Sequence, residues 1–487
     1  MRITHVLLAA GLTASTVLAQ APAPAAPQAP ARGPAVPATD PFPQPINTVD
    51  DVIKVDFVEF ASIPDDAGGL AARMMLLVDE PGTRRMFMIN MRGPLYSVSY
   101  DGKTVRLFLD VNAPKWGIDV NSMGNERGVQ SFAFHPQFNQ PGTPGYGKFY
   151  TLTDTSNTTA KADFTPLGAT NKTHDIVLLE WTAKTPGAEA YDGGAPREMI
   201  RWEHPFANHN GGHLSFNPLA TPPSPDFGLL YLGFADGGSG GDPLGLAQNK
   251  GSSFGKILRI DPLGRNSANG KYGIPASNPF VGPGNAGALG EIYVLGVRNP
   301  QRFAWDSKTG KMYVADIGQG VVEEVSEVTA GANLGWNRWE GSYSYVGRLE
   351  VGNTQREPGL VYPVVEYGHL DALLLPQVAI TMGPVYRGTA IRQLSNKMLF
   401  GDNPSGEIFY VNADNLPKGG QDAIRRVLFN DKGASKTLLQ LIKEKNVAQG
   451  KMPAARADLR FGPGANGQIF VLNKQDGTIR LIVPSRP

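Results

Sequence analysis

The chain has 487 residues, which is enough for one large domain or for two or three smaller ones. Glycine (58 residues) and proline (40) are abundant and charged residues make up only 18%, a composition that favours turns and short strands over long helices. The 45 Lys and Arg nearly balance the 44 Asp and Glu, which indicates no basic surface for nucleic acid, and the lack of cysteine excludes zinc–thiolate, haem-thioether and cysteine-nucleophile chemistry.

The N-terminus has the features of a secretory signal peptide. Arg2 and His5 precede an apolar segment at residues 6–12, and residues 17–19 fit a small-residue cleavage site. The apolar segment is too short to span a bilayer and no other long one follows, so the sequence predicts no membrane span. We therefore predict a signal peptide at residues 1–19 and a periplasmic or secreted protein, with a retained N-terminal anchor as the alternative.

The next segment, residues 20–50, is rich in alanine and proline and offers little apolar surface for a core. This composition predicts an extended, disordered tether. We expect the folded domain to begin near Asp51 and to extend through residues 51–487.

One local pattern recurs six times along residues 51–487. Each unit is a strand, a turn with Pro, Gly, Asp or Asn, and a second strand rich in aromatic residues. Repeated units of this kind predict an all-β fold, a six-bladed β-propeller with a ligand-sized central channel, and a pair of β-sandwiches is the alternative. The units are RMFMINMRGPLYSVSYDG, FAFHPQFNQPGTPGYGKFYTLT, LSFNPLATPPSPDFGLLYLGF, RFAWDSKTGKMYVADIG, KMLFGDNPSGEIFYVNADN and LRFGPGANGQIFVLNKQDG.

The segment at residues 208–212, NHNGG, places a histidine in a loop that ends in two glycines. Histidine has the side chain with an unperturbed pKa nearest neutrality, and Gly-Gly lets the backbone approach a ligand closely. These properties indicate that His209 is a general base facing a bound ligand. The alternative is a loop imidazole that is hydrogen-bonded to nearby backbone.

The loop at residues 236–243, DGGSGGDP, carries two carboxylates among glycines. Oxygen-rich loops of this kind suit calcium. Asp and Gly also form turns without any metal, so an Asx-turn loop is an equal alternative.

Two further segments carry candidate ligand-binding groups. Arg298 and Asn299 follow the strand EIYVLGV, and an arginine at a strand end can hold a carboxylate in a bidentate pair. The alternative is that Arg298 pairs with a structural acid between blades. Downstream, the turn at residues 316–320 is followed by Glu323 and Glu324, a combination of carbonyls and carboxylates that again suits calcium.

A single helix is predicted at residues 435–445, SKTLLQLIKEK, with Ser435 as its N-cap. Leucine and isoleucine at helical spacing form one broad apolar face. We expect this helix to pack on the propeller as an insert.

Taken together, these segments resemble the soluble glucose/sorbosone dehydrogenase family, six-bladed propellers that use pyrroloquinoline quinone (PQQ). The resemblance runs from about Asp51 to the C-terminus, and several motifs occur in one order. They are NERGVQSFAFHPQF (125–138), HNGGHLSFNP (209–218), DGGSGGDPLGLAQNKGSSFGKILRID (236–261), EIYVLGVRNPQRFAWD (291–306), DIGQGVVEEV (316–325), GANLGWNRWEG (331–341) and PVYRG (384–388).

The resemblance implies a role for each matching position. His209 would take the hydroxyl proton of the substrate, and the carbonyls of Gly318 and Gln319 would bind the calcium that polarises PQQ. Glu324 and the carbonyl of Leu334 would bind a second, structural calcium. The residues that the resemblance places on the cofactor are Glu126, Asn208, Arg298 and Asn299.

We therefore predict an exported dehydrogenase of aldose sugars or related alcohols, with PQQ and Ca²⁺ as cofactors. Its partners would be a small-molecule sugar or alcohol and an external electron acceptor, since the sequence has no haem motif. We expect no nucleic-acid partner and a monomer or homodimer. The alternatives are a non-catalytic propeller that binds carbohydrate or protein, and a calcium-dependent, lactonase-like hydrolase.

Overall fold

Short strands follow one another along the chain, and most pair with the next strand through a turn. The computed structural model describes residues 40–166, 168 and 172–485. The predicted signal peptide and most of the predicted tether lie outside the described residues. Twenty-four of the strands form six four-stranded units, which we call blades 1 to 6 in chain order. The first strand of the described chain also joins blades 5 and 6 into one continuous sheet.

The first strand, β1 (Ile53–Ser62), belongs to blade 6. Blade 1 consists of β2 (Met74–Asp79), β3 (Arg85–Asn90), β4 (Pro94–Ser99) and β5 (Val105–Asp110). Blade 2 consists of β6 (Val129–Phe134), β7 (Lys148–Thr155), β8 (His174–Thr182) and β9 (Arg197–His204). Blade 3 consists of β10 (Leu214–Phe216), β11 (Leu230–Phe234), β12 (Lys256–Ile260) and β13 (Ile292–Leu295).

Blade 4 is interrupted by a small side sheet between its third and fourth strands. The side sheet consists of β17 (Trp339–Glu340), β18 (Tyr343–Gly347) and β19 (Glu350–Val351). Blade 4 itself consists of β14 (Arg302–Trp305), β15 (Met312–Asp316), β16 (Val322–Val328) and β20 (Val365–Gly368).

The last two blades close the ring. Blade 5 consists of β21 (Ile380–Tyr386), β22 (Lys397–Asp402), β23 (Glu407–Asn412) and β24 (Arg425–Asp431), to which β25 (Ala434–Lys436) adds a short strand. Blade 6 consists of β26 (Arg460–Pro463), β27 (Ile469–Leu472), β28 (Thr478–Val483) and, as its outermost strand, β1. Because β1 pairs antiparallel with β28, strands from both ends of the described chain complete one blade.

The innermost strands β2, β6, β10, β14, β21 and β26 surround the central channel. Five neighbouring pairs of them are in contact, and the ring of His213 packs edge-on against Phe303 to join β10 and β14. Each of the six sequence units falls in a different blade. The prediction of a six-bladed β-propeller is therefore confirmed.

The hydrophobic core is divided into clusters that fill the gaps between neighbouring blades. One of them joins blades 1 and 2 through Phe87, Phe132 and Trp181, and another joins blades 3 and 4 through Val294 and Val314. Comparable clusters fill the other four gaps, including the gap between blades 6 and 1. The ring is thus held by face-to-face packing of sheets rather than by one central core.

The α-helix found in the described part of the chain, α1 (Leu438–Ala448), packs on blades 5 and 6. Its N-cap is Thr437, whose side chain accepts from the Gln440 N–H while the Gln440 side chain accepts from the Thr437 N–H. The predicted N-cap, Ser435, was wrong, because that residue pairs with Asn430 in the β24–β25 hairpin. Two 3₁₀ turns, Pro114–Trp116 and Arg392–Leu394, lie in loops.

Residues 40–50, which the composition predicts to be the end of the tether, lie against the propeller. Phe42 and Ile46 are buried, and the Ile46 N–H donates to a carboxylate oxygen of Asp371 at 2.6 Å. The Phe42 ring also packs edge-on against Tyr343 of the side sheet. This part of the segment is therefore anchored by specific contacts.

None of the helices in residues 40–166, 168 and 172–485 combines the length and the apolar character that crossing a membrane requires.

Candidate functional site

The loops that lead into the innermost strands carry most of the predicted site residues. Glu126 lies before β6, His209 before β10, and Arg298 and Asn299 before β14. Since the innermost strands of a propeller run in the same direction along the channel, these loops meet at one end of it. The structure therefore brings these residues together, and we call this the His209 end of the channel.

The backbone of His209 is held in an uncommon conformation. Its φ is 59°, in the left-handed region that non-glycine residues rarely occupy. The His209 N–H donates to Glu126 at 2.6 Å, and Nε2 of His204 lies 3.1 Å from the His209 carbonyl oxygen. Just beyond, a Cβ on Gly212 would lie 1.7 Å from the Gly233 carbonyl, so only glycine fits this close approach.

The imidazole of His209 lies between a carboxylate and a guanidinium. Its Nδ1 is 2.6 Å from Asp236 Oδ1, and its Nε2 is 2.8 Å from Arg298 Nη2. A guanidinium only donates hydrogen bonds, so Nε2 must be the acceptor in this contact. Nδ1 then carries the proton and donates a hydrogen bond to Asp236, while the Nε2 lone pair accepts from Arg298.

Asp236 is buried and ionised. Burial opposes its ionisation, but its interaction with His209, including the hydrogen bond, and the charge of Arg298 outweigh that effect and lower the pKa of Asp236 below its ordinary value. Its second oxygen accepts from the indole Nε1 of Trp336 at 2.8 Å, and the Gly238 N–H donates to the first at 3.0 Å. The carboxylate is therefore fixed in orientation relative to the imidazole.

The contacts of the glycine-rich loop at 236–243 match the Asx-turn alternative. Asp242 accepts from the N–H groups of Leu246 and Ala247 at 2.9 and 2.8 Å. Asn208 holds the middle of the loop, since its Oδ1 accepts from the Ser239 N–H at 2.9 Å. Asn208 thus lies at the edge of the site, one residue from His209.

Arg298 is a buried cation at the centre of the site. Besides His209, its guanidinium donates to the Ile317 carbonyl at 2.8 Å and to Gln319 Oε1 at 3.4 Å, and it lies over the Trp336 ring at 5.7 Å from the centroid. None of these hydrogen-bond partners is a carboxylate. The charge of Arg298 is therefore available to an anionic ligand.

Asn299, beside it, is anchored by its backbone. Its N–H donates to Asp316 Oδ1 at 2.6 Å, while its own side-chain oxygen is buried and has no hydrogen-bond partner among the described residues. A free amide oxygen next to Arg298 suits a ligand that offers a hydrogen-bond donor.

The turn that holds Gly318 and Gln319 is supported by Glu340. One oxygen of Glu340 accepts from the N–H groups of Gly320, Val321 and Val322, at 2.8 to 2.9 Å. Its other oxygen is buried with no partner in the described residues. A Cβ on Gly318 would lie 1.7 Å from the Val322 carbonyl, so this tight turn requires glycine.

Glu324 lies in a row of buried acids across blade 4. It pairs with Asp316 on β15 and with Glu366 on β20. Burial and then the neighbouring Asp316 raise the pKa of Glu324 well above its ordinary value, and burial raises the pKa of Asp316 to about 7. A cation would offset the repulsion among these carboxylates.

The other predicted metal ligand is the carbonyl of Leu334, a residue that lies outside this row of acids. Its side chain belongs to the apolar cluster of Val294 and Val314 between blades 3 and 4. Within residues 40–166, 168 and 172–485, no group of three or more His, Cys, Asp or Glu side chains is arranged to hold a metal. A calcium site here would therefore depend on backbone carbonyls together with Glu324.

Sequence reasoning missed a group of buried basic residues. Arg73 Nη1 donates to the Ser122 carbonyl at 3.0 Å, and Lys474 Nζ donates to the Asn125 carbonyl at 3.1 Å. Ser122 and Asn125 belong to the loop that also carries Glu126. The basic residues therefore contact the loop that hydrogen-bonds the backbone of His209.

These cations are short of counter-charge. Burial lowers the pKa values of Arg73 and Arg460 to about 10 and that of Lys474 well below its ordinary value. Arg73 Nη2 and Arg460 Nε are buried without partners among the described residues, and Asp458 is the acid that acts on all three. Such a group is suited to a ligand with several negative charges.

Asp236 was also missed as the partner of His209. In the β10–β11 hairpin Leu214 pairs with Leu232, and continuing that register brings residue 236 opposite residue 210. The hairpin is visible in the unit LSFNPLATPPSPDFGLLYLGF, so its register is the signal that could have placed Asp236 beside His209.

Comparisons with known proteins agree with the motifs. The family model "Glucose / Sorbosone dehydrogenase" matches residues 196–432, which confirms the resemblance predicted from the sequence. HIPL2 protein of Arabidopsis thaliana is 28% identical over 62% of this chain and 46% of its own length. Human Hedgehog-interacting protein is 27% identical over 50% of this chain and 31% of its own length. The chain thus spans about half or less of the length of these relatives.

Solved structures share the fold. The soluble aldose sugar dehydrogenase of Escherichia coli, in its apo form, superposes with a TM-score of 0.59 at 16% identity, covering 88% of this chain and 99% of that chain. The PQQ-bound aldose sugar dehydrogenase of Streptomyces coelicolor superposes with a TM-score of 0.52 at 17% identity, covering 89% of this chain and 97% of that chain. At these identities the likeness establishes the propeller fold.

Proposed function

We propose, from the match of residues 196–432 to the glucose/sorbosone dehydrogenase family, that this chain is a PQQ- and calcium-dependent dehydrogenase of aldose sugars or related alcohols. The geometry that carries the proposal is that of His209, whose Nδ1 lies 2.6 Å from the Asp236 carboxylate and whose Nε2 accepts from Arg298. A ring nitrogen that accepts carries no proton, which is the state that a general base requires.

The residues present fit PQQ, which is a planar tricarboxylate. Arg298 has no carboxylate among its hydrogen-bond partners, Arg73 and Arg460 each have a buried nitrogen without a partner among the described residues, and Lys474 is a third basic group beside them. An anionic ligand would compensate these buried cations, and the free Asn299 oxygen would accept one further hydrogen bond. We propose that these residues, with Glu126 and Asn208 at the edge of the site, hold the cofactor.

Calcium fits the acidic face of blade 4. A cation near Gly318 and Gln319 would be coordinated by their carbonyls, and a second one by Glu324 and the Leu334 carbonyl. The raised pKa values of Glu324 and Asp316 and the unpaired oxygen of Glu340 support a cation in this region.

When bound, PQQ supplies the acceptor for the hydride of the substrate. The chain's own part is to move the proton. Nε2 of His209 takes the proton of the substrate hydroxyl, which replaces the Arg298 N–H at that nitrogen. Asp236 keeps Nδ1 protonated and stabilises the imidazolium that forms. The electrons then leave to an external acceptor.

PQQ titration and turnover with a panel of sugars test this proposal. His209→Gln should bind PQQ as the unaltered protein does, while its turnover falls by about 10²–10⁴, the usual contribution of a general base. Arg298→Ala should show the opposite pattern. A charge-assisted hydrogen bond contributes about 1.5–3 kcal/mol, so PQQ affinity should fall at least about tenfold. If His209→Gln keeps the turnover of the unaltered protein, His209 is not the general base and is only a loop histidine.

Calcium removal tests the metal sites separately. A ligand that binds only the folded state stabilises it, by about 2.7 kcal/mol at a hundred times its Kd. Chelation should therefore lower the melting temperature, and Glu324→Gln should show a smaller response to chelator than the unaltered protein. A melting curve that chelator leaves unchanged would remove calcium from the proposal.

The second candidate is a propeller that binds a protein or carbohydrate without catalysis, or a calcium-dependent hydrolase. The match to Hedgehog-interacting protein, named for a protein interaction, favours keeping this candidate. If the purified protein with calcium shows no PQQ binding, the dehydrogenase proposal fails and this candidate replaces it.

A further inference from the structure

A cavity extends along the central channel toward the end opposite His209. Its volume is about 390 Å³, which is in the range of small-molecule sites. Each blade contributes an apolar or aromatic side chain from its innermost strand. These side chains are Leu76, Phe132, Phe216, Trp305, Val385 and Phe461. We call this space the apolar cavity.

The direction of the innermost strands shows how far the apolar cavity extends. His209 precedes β10, whereas Phe216 and Pro218, at and beyond the end of that strand, line the cavity. In the same way Glu126 precedes β6, whereas Pro136 follows it and lines the cavity. The cavity thus extends from His213 and Arg302, next to the starts of β10 and β14, to the far end of the channel, and it contains none of the loop residues of the proposed dehydrogenase site.

An arginine with no carboxylate among its hydrogen-bond partners lies in the wall of this apolar space. Arg302, which is 4% exposed, donates from Nη1 to the Gln301 carbonyl and from Nη2 to the Met75 carbonyl, both at 2.7 Å. Its Nε has no hydrogen-bond partner among the described residues. The charged group that acts on it is Arg460, a second cation. A buried guanidinium without a carboxylate is costly unless an anion joins it.

A second polar group accompanies Arg302. His213 also lines the cavity, is 8% exposed, and has an Nδ1 that is buried without a partner among the described residues. Its ring packs edge-on against Phe303, with centroids 4.6 Å apart. The cavity therefore combines a largely apolar wall with one cation and one unsatisfied imidazole nitrogen. The other polar side chains that line it are Ser215, Asn217 and Asp79, whose carboxylate accepts from the Tyr100 hydroxyl.

We propose that the apolar cavity binds an amphipathic monocarboxylate, such as a medium-chain fatty acid or an aromatic acid. The carboxylate would accept from Arg302, and from His213 if its Nδ1 carries the proton. The hydrocarbon part would pack among the aromatic side chains. The apolar wall alone would accept any lipid-like molecule, but the uncompensated guanidinium selects for an acid.

Titration calorimetry with octanoate and octanol on the full chain tests this proposal. The two probes share a hydrocarbon chain and differ in charge. Octanoate should bind at least about tenfold more tightly than octanol, because the charge-assisted hydrogen bond is the stronger one. Equal affinities, or no binding of octanoate, would overturn the proposal without any variant being made. Trp305 fluorescence offers a second readout at the cavity itself.

Arg302→Leu should abolish the preference for octanoate and leave octanol binding in place, which also reports that the variant is folded. Arg106→Leu is the matched control, since Arg106 is a half-exposed arginine on β5 outside the cavity. Loss of octanoate preference in Arg106→Leu as well would show that the acid binds at the surface, and the proposal would fail.

The same titration in the presence of PQQ separates this site from the proposed function. Octanoate and PQQ should bind at the same time, because none of the residues named for the cofactor lines the cavity. Competition between the two would place octanoate at the His209 end and overturn the inference. Octanoate binding in a protein that binds no PQQ would leave the inference intact while the dehydrogenase proposal fails.

Discussion

Four polar atoms of His209 are held by the protein around it. Glu126 accepts its backbone N–H, His204 approaches its carbonyl, Asp236 accepts Nδ1–H, and Arg298 donates to Nε2. The first two contacts hold the left-handed backbone, and the last two orient the ring. In the mechanism that we propose, a side chain restrained in this way would need little reorganisation when a substrate hydroxyl takes the place of Arg298.

Asp236→Asn tests whether the carboxylate sets the tautomer of His209. An amide stabilises the imidazolium less than a carboxylate, and its NH₂ can turn toward Nδ1 and favour the opposite tautomer. Turnover should fall by about 10²–10⁴, the usual contribution of a general base, while PQQ affinity stays close to that of the unaltered protein. Steady-state kinetics and PQQ titration on the same samples check this. A parallel loss of PQQ affinity would instead make Asp236 a structural support of the cofactor site.

For individual residues, the sequence predicted which side chains belong to the site better than it predicted their hydrogen-bond partners. The motifs indicated His209 and Arg298, and the structure places them in direct contact. They did not indicate Asp236, because that pairing depends on a hairpin register that spans a long turn. They also did not indicate Lys474, which reaches the Asn125 carbonyl from 349 residues away in the chain.

Among the secondary-structure elements, α1 shows what determines which residue is the N-cap of a helix. Ser435 and Thr437 are both good N-cap residues, but Ser435 is still paired with Asn430 in a hairpin. Gln440, three residues after Thr437, completes a capping box, and this spacing was available in the sequence. Strand pairing and the capping box together delay the helix start beyond the predicted one.

Thr437→Ala should destabilise the protein by about 1 kcal/mol, because the Gln440 N–H would lose its acceptor. Ser435→Ala is the matched control and should have a much smaller effect, since Ser435 is exposed. Urea unfolding of the three proteins measures the difference. Equal losses in both variants would mean that the cap contributes little at this helix end.

At the scale of the whole molecule, the repeated units predicted the ring because each one is a hairpin of a different blade. What the units could not indicate is how the blades join. The clusters between blades combine residues far apart in the chain, as with Tyr96 and Phe470 between blades 1 and 6. Alternating apolar residues report that a strand is buried, but not which neighbouring blade it meets.

Buried histidines make the folded state sensitive to acid. Burial lowers the pKa of His135 to about 4, that of His204 to about 3, and that of His213 well below its ordinary value of 6.5. Between pH 6.5 and about 4 the unfolded chain takes up protons that the folded protein does not bind. Stability should therefore be fully present above pH 6.5 and fall as the pH drops through this window.

His135→Gln isolates one of these groups, since glutamine can still accept from the Gln137 N–H that now donates to His135 Nδ1. Below pH 6.5 the free energy of unfolding should fall less steeply in this variant than in the unaltered protein. The two slopes should differ by about 1.4 kcal/mol for each pH unit. Urea unfolding of both proteins at pH 5, 7 and 8 measures the slopes. The interval from pH 7 to pH 8 is the internal control, because the slopes should be equal there. Identical slopes below pH 6.5 would contradict the prediction.

The closing strand has a consequence for the order of folding. β1 pairs with β28, and the Ser485 hydroxyl donates to the Lys54 carbonyl across 431 residues. During synthesis β1 must wait for almost all of the chain, and closing so long a loop is slow. Blade 6 is therefore the last to be completed, and the edge of β1 stays unprotected until then. A nascent chain therefore cannot complete its ring until nearly the whole sequence has been synthesised.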